Sequence, residues 1–434
     1  MLAQLRDHPD TRASKSLRKV LATPLMVSLA RDVYGGRAST GDGSGHDGPR
    51  HSPRDLLRFR SQKSIEEHLL SSFVPSAYRQ RAGAPDPPPR NWSPRRAQRW
   101  LGYLADHLNR SGGPDLEWWR LGTERSLRAR TAVISFLAGL PFALTTAIGN
   151  IPVDLIATSH GLGFAIRRGL VVGLLHGIVS GLAFGYVYRY ADGTELLMPR
   201  PVEVRLSGGD RELDRQFFHG LFLKVQLAAQ IGFGVALVIV LVDRLLLPLI
   251  ALDDGLGGGL VAAAQFPLTI GLSAGTALGL MTWLEAPIDA KRSVGCVDLL
   301  RQNRENATSH LLVWALALGL IAGLGATFTE TPLRSLQLGL VFGIEGAFCG
   351  GLGYCLCLTA YGQWVALARI WLPLTGRLPW RLVPFLEDAC KRDVLRRAGA
   401  AYQFRHARLQ DHLATDHPRT PSLTTARKAD HPPG

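Results

Sequence analysis

The sequence predicts an all-α integral membrane protein, and three observations lead to that prediction. The middle of the 434-residue chain contains six apolar runs, each about long enough to cross a bilayer. In three of these runs, glycine recurs at four-residue intervals. Charged residues crowd the two ends of the chain and thin out between them. Basic flanks around an apolar middle are typical of membrane proteins.

The overall composition agrees with this fold class and argues against nucleic-acid binding. The formal net charge is +14, yet 46% of residues are hydrophobic and only 19% are charged. The sequence contains no zinc-finger spacing, RNA-recognition signature or basic zipper, so we expect no nucleic-acid partner. The N-terminus lacks the apolar core of a signal peptide. The expected partner is the lipid bilayer itself.

The N-terminal third is predicted to be a cytoplasmic helical region. Residues 1–34 have helical periodicity with Pro24 inside the pattern, and a Gly/Ser/Asp-rich segment at 35–53 predicts a disordered loop. Amphipathic helices then fill 54–125, interrupted by a proline-rich linker at 80–94.

The membrane domain is predicted to cover 126–365. Trp118 and Trp119 come just before its first span, where they are expected at the headgroup level. The six predicted spans are 131–149, 169–188, 225–242, 260–284, 311–328 and 336–361. They form three consecutive pairs, which we interpret as a repeat of three helical hairpins.

Loop charges predict the orientation of these spans. Lysine and arginine are concentrated between spans two and three, in 189–224, and between spans four and five, in 285–310. Because basic loops stay in the cytoplasm, both loops and both termini are expected on the cytoplasmic side of the cell membrane. That arrangement requires an even number of spans.

The second span of each hairpin carries the glycine stripe. Residues four apart lie on nearly the same face of a helix, and small residues allow helices to approach closely in lipid. We therefore interpret the stripes as helix-packing faces, with a glycine-lined pore as the alternative. The stripe residues are Gly169, Gly173, Gly177, Gly181, Gly185, Gly271, Gly275, Gly279, Gly339 and Gly343.

Two ionisable residues fall inside predicted spans, His176 and Glu345. Such residues are costly in lipid and are candidates for a function such as transport or proton translocation. The alternative is that each only hydrogen-bonds across a tight helix interface. The five cysteines have no metal-site spacing, so we expect no metal and interpret them as buried free thiols.

The C-terminal segment 366–414 is predicted to be a small winged-helix-like tail. It reads as a helix ending near Lys391, a short hairpin turning at Gly399, and a last helix from about Ala407. Residues 415–434 are expected to be disordered.

The string "YQFRHARLQDHLA" in this tail resembles the ending of the winged-helix domain in NACHT NTPases, a branch of the STAND signalling ATPases. Phe404, His406, Gln410 and Ala414 match that pattern, and Asp411 stands where the family more often has glutamate. The segment "VLATPLMVSLARDVY" is similar to the proline-containing segment of the same proteins. The helices that follow it resemble their helical domain.

This resemblance implies nucleotide-facing roles for two residues. The family's proline packs near the adenine and its histidine reaches the β-phosphate of ADP, which makes Pro24 and His406 candidates. His406 could equally be a structural residue of the hairpin. The chain lacks the phosphate-binding loop and the acidic Mg²⁺ strand that an NTPase needs. It therefore resembles the C-terminal part of such a protein, and we expect no ATP hydrolysis by this chain alone.

The function expected from the sequence is thus a membrane-anchored regulatory portion of a NACHT-type signalling protein. ATP or ADP would be a cofactor only if an NTPase core is supplied upstream or in trans. Two alternatives stay open: a small transporter or channel built from glycine-striped hairpins, and an anchoring protein that forms homo-oligomers.

Overall fold

The computed structural model describes most of the chain and is mostly helical. The described residues are 12–34, 53–59, 61–79, 92–157, 159–192, 194, 197–199, 202–204, 215–250, 252, 260–287 and 295–416. Most of the predicted loop at 35–53, linker at 80–94 and disordered end at 415–434 lies outside these residues. At their edges, Pro53 begins a 3₁₀ turn, and residues 415 and 416 end a helix where disorder was predicted.

The chain divides into two compact units, one built from residues 1–116 and 373–434 and the other from residues 117–372. The helices of the first unit are α1 (Arg12–Leu21), α2 (Pro24–Tyr34), α3 (Gln62–Ala77), α4 (Pro94–Ser111), α14 (Leu382–Lys391) and α15 (Ala407–Asp416). Its strands are β3 (Leu395–Ala398) and β4 (Ala401–Phe404), which pair as an antiparallel hairpin. The tail thus has the helix, hairpin, helix order that its sequence predicts.

The core of the first unit joins the two ends of the chain. An aromatic cluster stacks Phe385 of α14 against Tyr78, Trp92 and Trp100 at ring-centroid distances of 5.2–6.2 Å. Such edge-to-face pairs add about 0.5–1.5 kcal/mol each to the burial of their area. The N-terminal helices and the tail are therefore one folded body.

The second unit contains the membrane block. Its helices are α5 (Leu127–Ala157), α6 (Leu162–Ala191), α7 (Arg215–Leu246), α8 (Leu260–Leu284), α9 (Cys296–Ala326), α10 (Pro332–Glu345), α11 (Leu352–Leu358) and α12 (Ala360–Trp364), and the short α13 (Leu372–Leu374) lies at its C-terminal boundary. Within the described part of the chain, six helical stretches are long and apolar enough to cross a membrane, as in a multi-pass membrane protein. They are Leu127–Ile156, Leu162–Ala191, Arg215–Ile250, Ala263–Leu284, Cys296–Ala326 and Pro332–Leu358.

Each glycine-striped helix packs on the helix before it, which gives three hairpins: α5 with α6, α7 with α8, and α9 with α10. Most of the helices extend beyond the predicted spans because helical structure continues into their polar ends. The last span differs most. It runs through a π-helical turn at Gly346–Gly351 and stops at Thr359, whose extended backbone and side chain cap α12. It therefore ends at Leu358 and not at 361.

The outward faces of these helices are apolar. On α6, four exposed side chains recur at four-residue spacing beside the glycine stripe: Leu170, Leu174, Ile178 and Leu182 are each more than 50% exposed. In water such a continuous apolar surface would cause association, whereas in a bilayer it contacts lipid tails. Trp118, just before the first span, is buried with its ring against Trp364.

A second small sheet joins two inter-span loops. Strand β1 (Val202–Val204) follows α6, and strand β2 (Glu285–Pro287) follows α8; the two pair antiparallel. The sequence analysis did not predict this ribbon, since strands of three residues carry no usable periodicity. The pairing places both loops on the same side of the membrane block.

Candidate functional site

A cavity of about 310 Å³ lies inside the membrane unit. All six spans contribute to its wall, from Phe142 and Val153 on α5 to Glu345 and Leu358 on the last span. Small-molecule sites have volumes of about 300–1,000 Å³, so the cavity lies at the lower end of that range. Its wall is mainly apolar and aromatic with a few polar side chains, as expected for a ligand site.

His176 lies in this wall and pairs with the partly exposed carboxylate of Asp243. Its Nε2 atom is 2.8 Å from Oδ2 of Asp243, on α7, and the Phe142 ring meets the imidazole edge to face. At that distance the ring N–H donates to the carboxylate. The sequence analysis identified His176 but placed Asp243 at the end of a span. Helix α7 continues to Leu246, so Asp243 lies within the helix and within reach of His176.

Glu345 lines the same cavity at the C-terminal end of α10. Thr146, His176 and Cys349 are among the cavity-lining side chains that interact with it. A Cβ atom built on Gly149 would lie 3.5 Å from its Oε1, an ordinary contact distance, so this glycine lies directly beside the carboxyl group. His176 and Glu345, predicted separately from two different hairpins, are thus brought to one site.

The π-helical turn after Glu345 shapes the cavity wall. A Cβ atom built on Gly346 would lie 2.5 Å from the Trp314 carbonyl oxygen, and one on Gly350 would overlap the Trp314 ring. These two glycines therefore let α9 approach and let Trp314 fill the space beside the turn. A π-turn inside an α-helix is frequent at functional sites.

Several buried polar atoms at the cavity lack a protein partner. Among the described residues, neither the Ser180 hydroxyl nor the Trp314 indole N–H is hydrogen-bonded, and both side chains line the cavity. Ser180 is only 1% exposed. Because a buried polar group without a partner costs about 1–3 kcal/mol, these atoms indicate a site that takes a polar guest.

A second histidine–carboxylate pair lies beside the cavity and was missed by the sequence analysis. His310 Nε2 is 3.3 Å from Oε1 of Glu285, which also accepts a hydrogen bond from Asn306. The imidazole stacks on the ring of Tyr354, a cavity-lining residue, at 4.4 Å. His310 comes just before a predicted span, so its position gave no signal of burial.

Two ion pairs hold the ends of the first hairpin together. Arg130 near the start of α5 makes a two-pronged contact with Asp192 after α6, at 2.7 and 3.0 Å, and also donates to the Tyr188 hydroxyl. At the opposite end, Arg168 lies 2.6 Å from Asp154. Twenty-four residues of α5 separate the two clamps, or about 36 Å at 1.5 Å per residue, which matches the bilayer core and part of its interfaces.

The ten stripe glycines lie at the contacts between hairpin helices, and none lines the described cavity. On α6, a Cβ at Gly169 would lie 2.6 Å from the Ala147 carbonyl oxygen. On α8, one at Gly271 would be 2.8 Å from the Ala229 carbonyl oxygen. The other stripe positions with a neighbouring helix atom in the way are Gly173, Gly177, Gly181, Gly185, Gly275, Gly279, Gly339 and Gly343. This geometry fits helix packing and does not form a glycine-lined pore.

The two nucleotide candidates lie in the first unit. Pro24 begins α2 and is exposed. His406 is half-buried immediately before α15, where its carbonyl accepts the N–H groups of Leu409 and Gln410. Burial and the neighbouring Arg405 lower the pKa of His406 below its ordinary value, while Asp32 of α2 acts in the opposite direction. The tail histidine therefore lies near the helix that Pro24 begins.

The described residues contain no group of three or more metal-ligating side chains. All five cysteines are free, and four of them are buried. The chain matches no protein-family model, no curated protein and no solved structure.

Proposed function

We propose that this chain is the membrane-anchored regulatory part of a NACHT-type signalling protein. One observation carries the proposal: the two segments that resemble the family, more than 250 residues apart, fold into a single unit. This co-folding supports the proposal because the family's helical and winged-helix segments would have to act together.

Specific contacts join the two segments. The Gln410 amide donates to the Asn109 side chain across the α4–α15 contact at 2.7 Å. The backbones of Leu116 and Tyr402 exchange two hydrogen bonds of 2.7 and 3.2 Å. Gln410 is one of the residues that match the family pattern. The order of helix, hairpin and helix in the tail supports a winged-helix interpretation of residues 382–416.

In this proposal, His406 and Pro24 face a nucleotide held by a core outside this chain, either upstream or in trans. The lowered pKa of His406 leaves its imidazole uncharged at neutral pH, so it would offer a phosphate oxygen an N–H donor. The alternative role, as the residue that begins α15, needs no nucleotide.

The proposed topology places both ends of the chain in the cytoplasm of a cell membrane. The folding together of residues 12–116 and 373–416 supports an even number of crossings, and the β1–β2 ribbon supports a common side for two loops. Alkaline phosphatase fused after residue 155 or residue 250 should be active, because both junctions would lie outside the cytoplasm. Inactive fusions at both positions would contradict this topology.

The function itself is tested at the gene and then with the protein. We expect an in-frame segment with the G-x-x-x-x-G-K-[ST] pattern upstream of Met1, or in a neighbouring gene. Expressed with that segment, the protein should bind ADP, and His406→Ala should weaken ADP binding more than His412→Ala does. ATP turnover by this chain alone, or equal ADP binding by both variants, would contradict the proposal.

The cavity favours a second candidate, a small transporter or channel, over a purely anchoring protein. An anchor has no need of an internal space with unbonded polar atoms. Ion or solute flux into liposomes that contain the purified chain would support this candidate. Flux no faster than into protein-free liposomes would count against it.

A further inference from the structure

The central cavity carries an inference that does not depend on the signalling role of the first unit. Its wall is rich in aromatic rings that come from five of the six spans. These residues are Phe142, Phe184, Phe266, Phe342, Trp314 and Tyr354. Faces of aromatic rings attract cations, by about 0.5–2 kcal/mol each depending on how far the site excludes water.

Glu345 is the one acidic side chain among the described residues of the cavity wall. Among the described residues, Glu345 and His176 line the cavity, and no lysine or arginine does. Asp243 pairs with His176, so any positive charge on that imidazole is offset locally. No lysine or arginine in the described part of the chain forms an ion pair with Glu345. The carboxylate of Glu345 therefore determines which charge the cavity prefers.

The polar atoms of the wall point to a guest that also accepts or donates hydrogen bonds. The Ser180 hydroxyl is almost completely buried, lines the cavity and has no partner among the described residues. The Trp314 indole N–H is also buried, lies in the cavity wall and has no hydrogen-bond partner among the described residues. A guest with an apolar body and a charged head would satisfy these atoms while filling the rest of the space.

We propose that the cavity is a binding site for a lipophilic organic cation. Glu345 provides the opposing charge, the aromatic rings surround the apolar body, and Ser180 and Trp314 receive polar substituents. At about 310 Å³ the site accommodates a compact, drug-sized molecule and excludes a whole phospholipid.

The direct test measures binding of tetraphenylphosphonium to the full chain in lipid nanodiscs. We expect saturable binding that becomes about tenfold weaker in Glu345→Gln, which removes the charge and keeps the shape. Glu330→Gln is the matched control, because that glutamate pairs with Arg334 between spans and does not line the cavity. After subtraction of partition into empty nanodiscs, tetraphenylborate, of the same shape and opposite charge, should show much weaker saturable binding than the phosphonium. Neither ion carries a polar substituent, so the pair tests the preference for charge and for an apolar body.

Equal phosphonium binding by Glu345→Gln and wild type, or tight binding of tetraphenylborate, would overturn the proposal. A second measurement needs no variant at Glu345. A hydrophobic carbodiimide should modify Glu345 in the wild-type protein, as detected by peptide mass spectrometry, and saturating tetraphenylphosphonium should protect it. Absence of modification, or modification unaffected by the phosphonium, would also contradict a site at this carboxylate.

Discussion

Asp243 and Glu345 show at the residue scale how the membrane unit collects polar groups from different hairpins. Asp243 lies on α7 and reaches His176 on α6, while Glu345 lies on α10 and borders the same cavity. Each of these side chains would be costly against lipid. Together they form a polar site that the apolar outer surface of the unit conceals.

Arg130 provides a prediction about stability. Its side chain is 8% exposed and is held by Asp192 and Tyr188, so Arg130→Gln leaves the aspartate without its partner. Because breaking a buried ion pair costs about 3–5 kcal/mol and Asp192 is partly exposed, we expect a loss of about 3 kcal/mol. Thermal unfolding in detergent, followed by tryptophan fluorescence, measures it.

Arg128→Gln is the control for that prediction, since Arg128 lies two residues away on the same helix and is exposed. It should leave the unfolding temperature nearly unchanged. The double variant Arg130→Gln with Asp192→Asn should recover part of the loss. Equal unfolding temperatures for the two single arginine variants would show that the clamp does not stabilise the hairpin.

Cys390 provides a prediction about reactivity in the first unit. Burial, together with the nearby Glu387, raises the pKa of this thiol to about 11. At pH 8 about one thiol in a thousand would then be ionised, against about one in four for an ordinary cysteine. Alkylation by iodoacetamide, followed by mass spectrometry, should therefore be slow at pH 8 and accelerate as the pH rises toward 11.

Denatured protein supplies the comparison, because unfolding returns the thiol to its ordinary pKa and should restore rapid alkylation at pH 8. The same modification rate in folded and denatured protein would show that Cys390 is not in the environment described.

The glycine stripes carry the prediction at the scale of elements. A Cβ atom at Gly177 would lie 2.6 Å from the Ala143 side chain and 2.8 Å from the Gly139 carbonyl oxygen. Gly177→Ile should therefore force α5 and α6 apart. We expect this overpacking to lower the free energy of unfolding by about 1–3 kcal/mol or more. Thermal unfolding and the size-exclusion profile in detergent measure this effect.

Gly234→Ile makes the same change inside a span where nothing lies within 4 Å of the added Cβ. It should be neutral or slightly stabilising, because isoleucine is apolar and glycine weakens a helix. If both variants unfold at the same temperature, the stripe is not a packing surface.

The periodicity of apolar residues predicts the helices well, but it does not predict contacts between segments that lie far apart in the sequence. The six long apolar helices and the short hairpin around Gly399 follow from local patterns, and both are present. The β1–β2 ribbon and the Glu285–His310 pair depend on segments that lie far apart in sequence. No local pattern encodes such pairing, so these features become visible only when the chain is folded.

The residues of the candidate site also differ in how far the sequence predicts them. An ionisable residue inside an apolar run, such as His176 or Glu345, is conspicuous in the sequence. Asp243 has no such signal, because it lies at the end of an apolar run where a charge is ordinary. The cavity itself is a property of six packed helices, and no single helix predicts it.

At the scale of the whole molecule, the two ends of the chain form one unit although 256 residues lie between them. The proposed nucleotide-responsive role requires this arrangement, because it needs both segments together. The contact between Asn109 and Gln410 spans 301 positions of sequence and lies at the α4–α15 interface.

Cross-linking this pair is the most direct test. Cysteines introduced as Asn109→Cys and Gln410→Cys in the full chain should be joined within one chain by a short bismaleimide cross-linker added to membranes. Digestion and mass spectrometry would then detect one linked peptide that joins the two positions, and neither single variant would yield it. If the two cysteines stay unlinked in the double variant, the ends of the chain do not form the unit described.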